Sequence, residues 1–194
     1  RLAELDSLLR KAVTSRFVSD RPTGVFLSGG LDSAAVALLA RQELGTLSTF
    51  SIVYPDHPGF DESKYSRIMA KSLGSDHHEI AFRSAEMDLE VESYLEHIDE
   101  PFADASAVTL SFLASRASSE ITLALTGDGA DELFGGYRKH RAEYLCRNKG
   151  LLTSIIRILP LPGISTERGK SGFGDKLRQL KRLQGIIGLN SNDR

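Results

Sequence analysis

The stretch Gly24-Val25-Phe26-Leu27-Ser28-Gly29-Gly30-Leu31-Asp32-Ser33-Ala34-Ala35-Val36-Ala37-Leu38-Leu39-Ala40 decides the reading of this chain. An apolar strand enters a glycine turn, and a strongly helical run leaves it. Several backbone N–H groups then converge on one spot, where an anion can sit at the positive end of the helix. Two hydroxyls, Ser28 and Ser33, and one carboxylate, Asp32, share that spot. A bare phosphate gains nothing from Asp32, whose charge repels it. Phosphates bridged by a hard divalent cation do gain, because such an ion takes oxygen ligands from both sides. The expected ligand is ATP with Mg2+.

Working outward, strands and helices alternate. An amphipathic helix over residues 2–18 sets Leu2, Leu5, Leu8, Leu9, Val13 and Phe17 on one face. Strand 24–27 and helix 32–44 follow, the helix ending at Gly45 as a C-cap. Next come strand 47–54, a loop with Asp56, His57, Pro58, Gly59 and Asp61, helix 62–73 closed by Gly74, and strand 77–82. Helices 85–97 and 106–119 then lead to strand 121–125, which runs into Thr126-Gly127-Asp128-Gly129-Ala130-Asp131-Glu132. The fold class is therefore α/β, a doubly wound parallel sheet of about four to five strands.

Ligands bind such sheets at the carboxyl ends of the strands, where strand order reverses. Right-handed crossovers place strands two and three on one side of strand one. Strand four is expected on the other side, so that Ser28–Ser33 and Thr126–Glu132 become neighbours. Asp32 and Asp131 would then hold one magnesium ion from opposite walls. Unscreened, two such carboxylates repel; a divalent ion between them turns the repulsion into attraction. Taken singly, Asp32, Asp128 or Asp131 could be a helix cap and the glycines mere turn formers. Their joint occurrence favours the binding reading. No lysine follows the glycines, so the loop is not the G-x-x-x-x-G-K-[ST] type, and γ-phosphate transfer is disfavoured.

Composition narrows the class further. The 194 residues are 41% hydrophobic and 26% charged, as in an ordinary globular protein, and the net charge of −2 gives no reason to expect nucleic acid or an anionic membrane. Cys146 stands alone, so no internal disulfide is available and a reducing, cytoplasmic setting is expected. It reads as a buried thiol rather than a nucleophile. No apolar run approaches the roughly 20 residues that span a bilayer. His77 and His78 are neighbours on one strand and point to opposite faces, which argues against their sharing a metal. Beyond residue 140 a helical extension is expected, with a Gly/Ser-rich loop over 163–175 and a solvated basic helix carrying Lys176, Arg178, Lys181 and Arg182.

The loop Ser28-Gly29-Gly30-Leu31-Asp32-Ser33 resembles the pyrophosphate loop of the ATP pyrophosphatase (PP-loop) superfamily, with its adenine nucleotide α-hydrolase-like fold. Leu125–Tyr137 narrows this: it resembles the synthetase domain of glutamine-hydrolysing asparagine synthetases. Gly59-Phe60-Asp61-Glu62-Ser63, His77-His78-Glu79 and Asp99-Glu100-Pro101-Phe102 with Ala103–Ser106 fit the same family, and the likeness is specific from about residue 2 to 140.

The resemblance implies that Ser28, Gly29, Gly30, Leu31, Asp32 and Ser33 form the pyrophosphate loop. Leu27 would touch adenosine, Ile52 would meet adenine through its backbone, and Thr126 and Gly127 would lie near the nucleotide. Asp32 and Asp131 would bind magnesium. Tyr137 would stand near the reacting centre, as would Asp128, which occupies a position where many family members have glutamate. The implied reaction activates a carboxylate, aspartate by default, as an acyl-adenylate with release of pyrophosphate; ammonia from glutamine then forms the amide. Alternatives are an amidotransferase with another acid, a β-lactam synthetase-like ligase using an internal amine, and a non-catalytic ATP-binding module.

The resemblance further implies a domain over 1–140 and a partial helical extension over 141–194. A glutaminase domain would precede Arg1 in the same full-length chain, and a catalytic lysine would follow in a later R-x-P-F-x-D-like segment. The isolated piece is accordingly expected to bind ATP yet turn over poorly. A homodimer is retained as a candidate assembly.

Overall fold

The computed structural model describes residues 1–17, 21–100 and 104–137, together with His140, Glu143, Tyr144, Arg147, Asn148 and Lys181. Two compact units emerge, Arg1–Asp128 and Gly129–Arg194.

In the first unit the helices and strands alternate as α1 (Leu2–Thr14), β1 (Thr23–Phe26), α2 (Leu31–Leu44), β2 (Ser48–Val53), α3 (Ser63–Leu73), β3 (Asp76–Ala81), α4 (Met87–His97), α5 (Ser106–Ala117) and β4 (Leu123–Leu125). The sheet is wholly parallel, in the order β3-β2-β1-β4. The expected placement of β4 beside β1, opposite β2, is what the structure has. Gly24 pairs with Ser48 on one side and Ala124 on the other, so β1 is a central strand.

Side chains alternate across the sheet with the period of two that a strand imposes. On one face, Val25 and Leu27 pack with Val13 of α1, Ala37, Leu39 and Ala40 of α2, and Ala70 and Leu73 of α3. On the other, Phe50 and Ile121 pack with Leu113 and Ala117 of α5, flanked by Phe26, Ile52, Ile80 and Ala124. Helix α2 can run close to the sheet because its buried positions are mostly alanine. It stops at Gly45, whose φ of 73° suits a glycine C-cap; Gly74 ends α3 in the same way.

Two expectations need correction. The apolar face of α1 is only partly used: Val13 is buried and Leu9 and Phe17 pack against the core, but Leu2 and Leu8 are exposed, because only the C-terminal half of α1 lies against the rest of the unit. Strand four begins at Leu123 rather than 121. Thr122 and Leu123 both donate to the carbonyl of Pro22, and proline has no N–H with which to extend the ladder below Thr23.

The expected basic helix, the loop over 163–175 and Cys146 fall outside the described residues, apart from exposed Lys181. Among the described residues, no helix is long and apolar enough to cross a membrane.

Phe50 and Phe112 are the largest fully buried side chains among the described residues, and Phe50, 1% exposed, packs from β2 against α5. Phe50→Ala is expected to destabilise the unit by about 3–5 kcal/mol, the range for emptying a buried aromatic site. Chemical denaturation should show this as a lower midpoint with an unchanged slope.

Candidate functional site

The β1–β2 ladder continues one residue beyond β1, with Leu27 N–H donating to the Phe50 carbonyl at 2.8 Å. The chain then turns through Ser28, Gly29 and Gly30 into α2. Gly29 has a φ of +82°, and a Cβ there would lie 2.7 Å from both the Ser66 nitrogen and the Tyr65 Cβ. Glycine is thus required twice over, by backbone conformation and by the approach of α3. Helix α3 is itself started by Asp61, which accepts from the Ser63 N–H at 2.9 Å.

The two hydroxyls brace the turn from within. Ser28 Oγ and Ser33 Oγ are 2.9 Å apart, Ser33 Oγ donates to the Gly30 carbonyl, and Ser28 Oγ accepts from Gly30 N–H, both at 3.3 Å. Gly30 is the N-cap residue of α2 and no side chain caps it. The N–H groups of Leu31, Asp32 and Ser33 therefore have no intrahelical acceptor, and they form the positive end of a fourteen-residue helix.

Asp32 lies in the first turn of that helix, half-buried, and its carboxylate makes no hydrogen bond or ion pair with any described residue. It is not a cap. A hard divalent cation suits an all-oxygen set built on this carboxylate. Among the described residues, no group of three or more His, Cys, Asp or Glu side chains is placed to hold a metal.

The loop after β4 closes directly on this turn. A Cβ on Gly127 would lie 2.6 Å from the Ser33 nitrogen and 3.0 Å from the Asp32 Cβ, so the two loops touch backbone to backbone. Beside it, Thr126 Oγ1 donates to Asp128 Oδ2 at 2.9 Å, which holds the exposed Asp128 carboxylate at the lip. Leu27 is 1% exposed, so its side chain is closed off by the core, and Ile52 is partly buried against the α5 face. Leu31 is 83% exposed beside the turn. The structure thus brings together Leu27 through Ser33 with Thr126 and Gly127 at the carboxyl edge of the sheet.

Asp131 and Tyr137 belong to the second unit. Asp131 lies in α6 (Ala130–Phe134), whose N-cap is Gly129 in the left-handed region, again without a side-chain cap. Its carboxylate fills the space left by the missing side chain of Gly136, and Tyr137 donates to Glu132.

Sequence reasoning missed a polar layer beneath the site. Thr49 and Ser51 on β2, His77 on β3 and Ser66 on α3 are linked by hydrogen bonds. Hydroxyls two apart on a buried strand were the available signal. His78 faces the other way and stacks on Phe50 with 4.9 Å between ring centres. Its Nε2 lies 3.3 Å from one carboxylate oxygen each of Asp76 and Glu120, without hydrogen-bond geometry to either.

A wholly parallel α/β unit with glycine loops at the carboxyl ends of the adjacent strands β1 and β4 defines the class, a fold whose ligand sites lie at that edge of the sheet. The asparagine synthase family model matches residues 4–194, and the chain belongs to that family. It is 36% identical over 138 residues to asparagine synthetase [glutamine-hydrolyzing] 1 of Bacillus subtilis, covering 71% of this chain and 22% of that protein. A Methanocaldococcus jannaschii protein provisionally named asparagine synthetase [glutamine-hydrolyzing] 2 is 34% identical over 190 residues, 97% of this chain and 34% of that one. The chain thus spans 22% and 34% of the length of these relatives. Among solved structures, an NH3-dependent NAD synthetase from Campylobacter jejuni aligns with a TM-score of 0.47 at 13% identity, over 98% of this chain and 97% of that one.

Gly127→Ala is expected to push the two loops apart at a cost of about 1–3 kcal/mol, the usual price of overpacking. Thermal unfolding should register the loss, whereas Gly59→Ala, with open space around it, should leave the midpoint unchanged.

Proposed function

We propose that this chain is the nucleotide-binding part of an ATP-dependent amide-forming ligase that activates a carboxylate, aspartate by default, for amidation to asparagine. The observation that carries the reading is the closure of Gly127 onto the first turn of α2, beside an Asp32 carboxylate that has no partner among the described residues. Family membership supports it.

Carboxylates do not react with amines near neutral pH, so the acid needs a better leaving group. The substrate carboxylate attacks the α-phosphorus of ATP, the bond to the β-phosphate oxygen breaks, and pyrophosphate leaves. Ammonia then adds to the acyl carbon, a proton is lost, and AMP departs. This chain mainly positions the reactants and stabilises charge. The N–H groups at the start of α2 and the hydroxyls of Ser28 and Ser33 serve the departing pyrophosphate. Backbone groups of Leu27 and Ile52 hold the adenosine portion, and Thr126 and Gly127 border it. Asp32 would hold magnesium, with Asp131 proposed as its second carboxylate on the sequence motif. When bound, that ion neutralises charge on the phosphate oxygens. Asp128 is assigned to the acyl group and incoming amine, and Tyr137 to the neighbourhood of the reacting centre. Ammonia would come from a glutaminase domain of the full-length protein. A cytoplasmic setting and a homodimer complete the proposal.

Calorimetric titration with ATP and magnesium tests the loop. Asp32→Ala is expected to weaken magnesium-dependent binding by at least about tenfold, a loss of roughly 1.4 kcal/mol. Equal affinity would remove the assignment. With full-length protein and a panel of acids, product analysis should find AMP and pyrophosphate, not ADP. Tight ATP binding with no AMP from any acid would leave a binding module instead.

A further inference from the structure

The polar layer under the nucleotide loop forms a circuit that starts and ends on α3. Ser66 Oγ donates to Ser51 Oγ at 3.3 Å; Ser51 Oγ lies 3.3 Å from His77 Nε2. His77 Nδ1 is 2.9 Å from Thr49 Oγ1, which is 2.9 Å from Ser75 Oγ, and Ser75 Oγ donates to the Ala70 carbonyl at 3.4 Å. Ser66 and Thr49 are fully buried and Ser51 nearly so. Each hydroxyl has one proton to give. Ser66 Oγ also lies 3.0 Å from the Ser63 carbonyl, which can only accept, so its one proton serves either Ser63 or Ser51. When it serves Ser51, Ser51 donates to Nε2, Nδ1–H donates to Thr49, Thr49 to Ser75, and Ser75 to the Ala70 carbonyl. In that arrangement the ring accepts on one nitrogen and donates on the other, as a neutral imidazole does.

One end of the circuit sets the nucleotide loop. Ser66, whose hydroxyl hangs from Ser51, has the backbone nitrogen against which Gly29 is packed. We propose that His77 is a positioning residue for the loop Ser28–Ser33: it spaces β3 from the hydroxyls of β2, which hold the first turn of α3 at the distance Gly29 requires. This rests on the reading of that loop as a nucleotide site.

The charged surroundings are defined on each packed element. On β3, Glu79 favours a proton on His77 and His78 opposes one; on α3, Arg67 opposes it, though its guanidinium is mostly engaged by Glu79 at 2.6 and 2.9 Å. β2 contributes the hydroxyls of Thr49 and Ser51 and the Thr49 backbone, which favours a proton on the ring. Burial outweighs the others and holds His77 below the ordinary histidine value. Folded His77 thus stays neutral to lower pH than in the unfolded chain. Its stabilising contribution is complete above the unfolded value and is lost as pH falls toward the folded one. A doubly protonated ring can only donate, so the Ser51 leg must reverse and Ser66 must turn to the Ser63 carbonyl, 3.0 Å away.

The experiment is titration of the full-length protein with ATP and magnesium at about pH 7.5 and about pH 5.5, bracketing the histidine range. His77→Phe and Ser66→Ala are expected to weaken binding by about tenfold or more at the higher pH, with circular dichroism unchanged. His77→Gln, an amide that still donates and accepts, should stay within about threefold of wild type there. Wild type should lose affinity at the lower pH beyond any loss in His77→Gln, which does not titrate. Ser75→Ala, at the far end of the circuit, controls for stability: it should bind ATP as wild type even where it unfolds as easily as Ser66→Ala. Wild-type affinity in Ser66→Ala, or parallel pH profiles for wild type and His77→Gln, would overturn the proposal. Failure of wild type itself to bind ATP would instead overturn the nucleotide reading beneath it.

Discussion

The structure depends on one close approach. The backbone of Gly127, leaving β4, lies against the first turn of α2, leaving β1, with no room for a methyl group between them. Two strands side by side in a parallel sheet bring their following loops to the same edge, but the sheet alone sets only a strand spacing. Contact closer than that needs a residue without a side chain, which Gly127 supplies against Asp32 and Ser33, while Gly29 does the same where α3 meets the turn. The unpaired N–H groups of α2 face the gap so formed. The site is a backbone device, and its side chains are additions to it.

Electrostatics then gives those additions their meaning. An aspartate in the first turn of a helix is stabilised by the helix dipole, but an anion arriving at the same turn is repelled by it. Asp32 has no cap to form, because Gly30 occupies the N-cap position, and no cation among the described side chains to meet. A carboxylate placed where it opposes an incoming phosphate is sensible only if a metal ion joins the two.

Much of the fold was legible because the signals were local. Glycines after α2 and α3 mark their ends, and the run of alanines in α2 marks a helix pressed onto a sheet. Strand order followed from connection rules applied to four short apolar runs. Burial along α1 was not legible: its leucines repeat at helical spacing from Leu2 onward, yet only the half that meets α2 is covered. The polar layer was hidden for the same kind of reason. Thr49, Ser51, Ser66 and His77 come from three separate elements, and none is unusual in its own segment. Only the register of β2 with β3, which pairs Thr49 with His77, makes them a circuit.

By itself the sequence determined the alternation of strand and helix, the two glycine loops and the acidic residues they carry. These depend on backbone freedom and periodicity within a dozen residues, which neighbouring residues encode directly. Tertiary structure decided that Gly127 lies on Ser33, that Leu27 and Ile52 turn their side chains into opposite cores, and that His77 lies under α3. Each of these is a distance between elements far apart in the chain. Such distances are set by packing volume and strand register, which no single segment carries.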